Sequence, residues 1–187
     1  MRTLIVNAFG GPGVGKTTFA WEIASLLKKL DLLVEYVPEY AKELVYEERF
    51  DILDNTMVHQ KMIMDEQKKR IDRLMGKVRI IVTDSPILLS ATYAKDADEK
   101  FIQESIDIFN QYTNLNFYIK RNKEDNYVQA GRKETLEQAI KEDNNIYNFL
   151  NDNHIHFNTY NRLDMGIIID KIVFELDDIF DIGDIKC

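Results

Sequence analysis

The sequence predicts an α/β fold, a three-layer sandwich in which a five-stranded parallel sheet carries helices on both faces, and three observations support it. Short runs rich in β-branched and aromatic residues alternate with stretches whose apolar residues recur every three or four positions. The runs are apolar almost throughout, as strands covered on both faces must be. The first run leads straight into a glycine-rich loop and then a helical pattern, the opening of a βαβ unit.

Taken in order, Thr3–Phe9 is the first strand, and Gly10-Gly11-Pro12-Gly13-Val14-Gly15-Lys16-Thr17 follows it, matching G-x-x-x-x-G-K-[ST] at every fixed position. Such glycines let backbone N–H groups turn inward around phosphates, while the lysine reaches the β and γ oxygens and the threonine hydroxyl ligates Mg²⁺. Gly10 to Thr17, with Thr18, are therefore the expected contacts of bound ATP, and the motif makes the chain a P-loop NTPase fold. Phe19, Ala20, Ile23, Leu26, Leu27 and Leu30 then mark a helix whose N-terminus faces the phosphates. Further strands are expected at Leu32–Val37, Val78–Thr83, Leu115–Ile119 and Ile155–Tyr160. Helices are expected near Met57–Leu74, Asp98–Tyr112 and Thr135–Leu150, with another from about Ile167 to Phe180. The polar stretch from Asn122 to Lys133 begins at a strand end, which places a lid at about 121–134.

Catalytic side chains beside a P-loop belong at the ends of neighbouring strands. Asp84 ends the run Arg79-Ile80-Ile81-Val82-Thr83 and is expected, with Thr17, to hold Mg²⁺ directly or through its water. Glu39, in Tyr36-Val37-Pro38-Glu39-Tyr40, is either a base for an attacking hydroxyl or a first-turn helix glutamate. Arg121 and Arg132 flank the lid and would bring positive charge to the transferring phosphoryl group beside Lys16. Gln60 and Gln67 share the stripe of Met57, Met64, Ile71 and Leu74, so their amides either read a nucleobase edge or bond backbone. Tyr40, Gln67 and Tyr93 are the expected acceptor contacts, and Phe9 is a further ring near a strand end. Asp143, on the stripe of Leu136, Ala139, Ile146 and Leu150, requires an arginine if buried and would hold the base of the lid. His59, His154 and His156 lack metal-ligand spacing.

The 187 residues suit one domain spanning 1–187, with 45% hydrophobic and 30% charged residues. A net charge of −8 disfavours broad adhesion to nucleic acid or to an anionic membrane. The single cysteine, Cys187, excludes an internal disulfide, and no apolar run is long enough for a membrane helix. Met1-Arg2 lead directly into the first strand, so a cytoplasmic location is expected.

The ordered set Gly10–Thr17, Pro38-Glu39-Tyr40, Asp84-Ser85-Pro86 and an arginine-bearing lid resembles the nicotinamide riboside kinases and their phage-encoded nucleotide-kinase-like relatives. That resemblance implies an ATP- and Mg²⁺-dependent kinase, in the host cytoplasm if phage-encoded, acting on a small nucleoside- or nucleotide-like acceptor. Tyr127 to Arg132, followed by Ala139 and Asp143, also looks similar to phage kinases of 5-hydroxymethyl-deoxyuridine in DNA, which keeps DNA open as an acceptor. Deoxynucleoside kinases usually carry Glu-Arg-Ser where this chain has Thr83-Asp84-Ser85. The competing class is a GTP switch or simple NTPase. Asn122-Lys123-Glu124-Asp125 spells N-K-x-D, but a switch would want a glycine three residues after Asp84, where Ile87 stands. The oligomeric state is not encoded in any pattern here.

Overall fold

The computed structural model describes residues 1–122, 135–160 and 165–179. Their order is β1 (Leu4–Phe9), α1 (Lys16–Lys29), β2 (Val34–Val37), α2 (Tyr40–Tyr46), α3 (Met57–Asp72), β3 (Ile80–Thr83), α4 (Leu89–Tyr93), α5 (Glu99–Phe109), β4 (Thr113–Ile119), α6 (Leu136–Asp152), β5 (Asn158–Tyr160) and α7 (Met165–Ile179). The five strands form one parallel sheet in the order β2-β3-β1-β4-β5. The predicted fold class is the observed one.

Alternation along β1 explains the three layers. Leu4, Val6 and Ala8 point to one face, where they pack with Phe19, Ile23 and Leu27 of α1 and Ile168, Ile172 and Leu176 of α7. Ile5 points to the other face, into a cluster with Met64 and Ile71 of α3 and Phe101 of α5. Phe9 shares that face with Leu88, Leu89, Phe109 and Ile146. All six β1 residues are buried, so the run reads as continuously apolar except at Asn7. The Asn7 amide donates to Asn114 Oδ1 and Asn116 Oδ1, both at 2.9 Å, and Asn116 donates on to His156 O. A buried amide is tolerable only when paired, and this one ties β1 to β4.

Caps written in the sequence set two helix starts. Thr135 and Gln138 form a reciprocal capping box at α6, and the Asp98 carboxylate accepts from Phe101 N at α5. The register aligns Asn7 with Thr83 and Phe9 with Tyr118, so the chain leaving β1, β3 and β4 emerges side by side. Among the described residues no helix is long and apolar enough to cross a membrane.

Candidate functional site

The loop after β1 turns on glycines with positive φ at Gly10 (143°), Gly13 (74°) and Gly15 (101°), the last one heading α1. Gly11 is small for a different reason. A Cβ there would collide with Asp143 Oδ1 and lie 2.8 Å from Ala139 O, so the loop rests directly on α6. The Gly11 N–H donates to Asp143 Oδ1 at 2.8 Å.

Lys16 folds back over the loop, its ammonium donating to Gly10 O at 2.7 Å and Gly11 O at 3.0 Å. Surrounding protein pushes the Lys16 pKa down, although the side chain keeps some solvent access; Glu39, Asp84 and Asp143 oppose that shift, Glu39 most strongly. The Thr17 hydroxyl donates to Asp84 Oδ2 at 2.5 Å. Asp84 is 1% exposed, and its Oδ1 is buried with no hydrogen-bond partner among the described residues. A buried carboxylate oxygen left unmatched next to a threonine hydroxyl is a hard-oxygen donor pair of the kind Mg²⁺ takes. Tyr36 stands beside the same carboxylate; burial and Asp84 push its phenol pKa up, and its ring meets Trp21 edge-on at 6.3 Å.

Glu39 occupies the N-cap position of α2 with extended backbone (φ −63°, ψ 120°), yet its side chain makes no capping hydrogen bond. Its charge acts on Lys16 instead. Gln67 braces the backbone on either side of it, accepting from Tyr40 N and donating to Pro38 O, each at 3.2 Å, with Thr83 Oγ1 at 3.4 Å. Of the two fates open to a buried glutamine, this amide therefore takes backbone. Gln60 instead donates to a side chain, Asn55 Oδ1.

Tyr40 lies under the Arg70 guanidinium, 4.7 Å from ring centroid to Cζ, while Arg70 makes two 2.6 Å bonds to Glu43. Tyr93 packs against the cluster of Phe9, Leu88 and Phe109. The structure holds Arg121 on Asp143, Nε to Oδ2 at 2.6 Å and Nη2 to Oδ1 at 3.1 Å, and on Pro12 O at 2.7 Å. The arginine that buried Asp143 requires is thus Arg121. Arg132, most of the expected lid and Lys123 to Asp125 lie outside the described residues.

The structure brings Lys16, Thr17, Glu39, Asp84 and Arg121 to one end of the sheet, and it adds contacts that sequence patterns did not single out. Tyr36 alternates out of an edge strand like any β2 residue, and Arg70 carries no motif. The short helices α2 and α4 follow Glu39 and Asp84 too closely to show a helical period of their own.

A protein-family model described as an AAA domain matches residues 5–165. No curated protein matches the sequence. Among solved structures, the fold is similar to thymidylate kinase from Ehrlichia chaffeensis, with a TM-score of 0.62 and 16% identity over 94% of this chain and 100% of that one. It is also similar to NadR protein in complex with NR, with a TM-score of 0.66 and 19% identity over 91% of this chain but 50% of that one. Identities this low carry the fold and leave the chemistry to the residues. With a family model spanning most of the sequence, and a phosphate loop on the central strand of a parallel sheet, the chain belongs to the AAA domain family.

Proposed function

We propose that this P-loop domain is an ATP-dependent kinase that moves the γ-phosphate to a hydroxyl of a nucleoside- or nucleotide-like acceptor. The observation that carries the reading is the convergence of Glu39 and Asp84 on Lys16, the second acid with a buried oxygen that lacks a hydrogen-bond partner among the described residues. Lys16, Thr17 and Asp84 serve the nucleotide, and the Glu39 carboxylate gives an attacking acceptor hydroxyl somewhere to deliver its proton.

Lys16 exchanges its loop carbonyls for the β and γ oxygens when ATP occupies the loop. Thr17 and Asp84 would hold Mg²⁺, which when bound offsets phosphate charge. Glu39 accepts the acceptor proton as the acceptor oxygen bonds to the γ-phosphorus; the bond from that phosphorus to the β–γ bridging oxygen breaks, and ADP leaves with the electron pair. Arg121 supports the loop through Pro12 O, and Arg132 is the expected cation over the γ-phosphate. Both solved relatives, a thymidylate kinase and a protein in complex with NR, are consistent with a nucleoside or nucleotide acceptor.

A GTP switch is the weaker reading. The position where a switch needs a γ-phosphate-sensing glycine is Ile87, which is buried among Ile81, Met64 and Ala91.

The test is transfer of γ-labelled phosphate from ATP to nicotinamide riboside, deoxynucleosides, deoxynucleoside monophosphates and 5-hydroxymethyluracil-containing DNA, with GTP as second donor. Label on one acceptor is the expected result. Label found only as free phosphate, with GTP preferred, would overturn the kinase reading.

A further inference from the structure

The phosphate loop has a second anchor, a carboxylate on α6 that phosphoryl transfer does not itself require. We propose that Asp143 is a positioning residue for nucleotide binding, setting the loop through Gly11 and through Arg121; this rests on nucleotide binding at the loop and not on phosphoryl transfer.

One carboxylate does both tasks. Its Oδ1 accepts the Gly11 N–H at 2.8 Å and Arg121 Nη2 at 3.1 Å, while Oδ2 accepts Arg121 Nε at 2.6 Å. Arg121 then reaches Pro12 O at 2.7 Å, so two consecutive loop residues are fixed by one ion pair, one through its N–H and the next through its carbonyl. The pair is shielded, with side chains 14% and 11% exposed, and Tyr118 holds the helix turn behind it through Asp143 O at 2.8 Å. Bonds to charged groups in such surroundings are the stronger kind.

The consequence for binding is a division of the loop. The Gly11 N–H is committed to α6 whether or not nucleotide is present, and the Pro12 carbonyl, whose lone pairs would repel a phosphate, is held by a guanidinium. Asp143 and Arg121 also act on Lys16 with opposite signs, so the pair fixes geometry while adding little net charge. The loop is thereby ordered before ATP arrives, which spares the ordering entropy on binding.

The experiment measures ATP and ADP dissociation constants by calorimetry on the full chain, with Tm for each variant. Asp143→Asn and Arg121→Met are each expected to weaken ATP about tenfold, and the double variant no further, because the two residues act as one unit. The double variant, with no charge left unpaired, is expected to recover Tm without recovering affinity. Asp143→Asn that lowers Tm but binds ATP like the wild type would make the pair merely structural and overturn the proposal. Amide exchange on the wild-type protein gives an answer that does not depend on any variant folding. The Gly11 N–H should be protected without nucleotide and gain nothing from ATP, and fast exchange in the free protein would overturn the idea. A wild-type chain that binds neither ATP nor ADP would defeat this inference and the kinase reading together, whereas binding without transfer would defeat only the latter.

Discussion

Replacing Gly11 with alanine should be far more damaging than one methyl group suggests. The added Cβ would collide with Asp143 Oδ1, and it would also lie 2.8 Å from Ala139 O and 3.0 Å from Asp143 N. The last two are helix backbone, so no rotamer change relieves them. Either the loop lifts off α6, breaking the Gly11 N–H bond to Asp143, or α6 shifts and disturbs the Arg121 pair. Overpacking costs about 1–3 kcal/mol and a lost bond to a charged group about 1.5–3 kcal/mol. The sum, roughly 2.5–6 kcal/mol, is a large share of a typical domain's stability and corresponds to a fall in Tm of about 5–24 °C. Thermal unfolding followed by circular dichroism measures it. Gly166 supplies the contrast, since a Cβ there meets nothing within 4 Å in helix α7, and alanine should add about 0.5–1 kcal/mol. A Gly11→Ala Tm within about 2 °C of wild type, no more than about 1 kcal/mol would give, would refute the steric argument.

Four other outcomes are expected. Glu39→Gln should cut the transfer rate by about 10²–10⁴ while ATP affinity, measured by calorimetry, stays near wild type; an active variant would remove Glu39 as the base. Gln67→Met removes the brace on Pro38 O and Tyr40 N, so the rate constant for transfer should fall about tenfold with little change in the ATP dissociation constant, a split that steady-state kinetics would expose. Asp84→Asn keeps an acceptor for the Thr17 hydroxyl but removes the anionic charge, so the Mg²⁺ concentration needed for turnover should rise about 10–100-fold, read by Mg²⁺ titration, with melting as the check that the variant is folded. The Thr56 backbone and hydroxyl and His59 hold the Asp54 carboxyl at about 2, below its ordinary 3.8. Because its folded value is depressed, its stabilising effect is complete above the unfolded value and is lost as pH falls from about 4 to about 2; the Thr56 amide shift of the folded protein should titrate with its midpoint at about 2.

How far the sequence could be read depends on whether each feature is local. Gly10 to Thr17 is a contiguous device, and the flanking periods of β1 and α1 identify it without tertiary knowledge. Strand β4 begins at Thr113, earlier than the apolar run from Leu115, because Thr113 and Asn114 pair at the rim of the sheet and need not be apolar. Strand β5 covers only Asn158–Tyr160, later than the run from Ile155, since Ile155 is used in packing under α6. Asp143 was legible as a buried carboxylate in need of an arginine, but the identity of that arginine depends on chain crossing, as does its second duty on Gly11. Arg121 illustrates the converse. Its position at a strand end suggests a phosphate cation, and it takes the folded chain to bring the same position against the loop's carbonyl and α6.

Trp21 is the only tryptophan in the chain, 60% exposed on α1, and the ring it touches is Tyr36, the neighbour of Asp84. A single tryptophan, which can be excited apart from the tyrosines, therefore sits one side chain away from the carboxylate expected to meet a divalent ion. Its emission should change when that carboxylate is engaged, since the field and the orientation of the Tyr36 phenol change with it. The domain would then report occupancy through its own light, without any attached dye, and Tyr36→Phe would show how much of the signal travels through the hydroxyl.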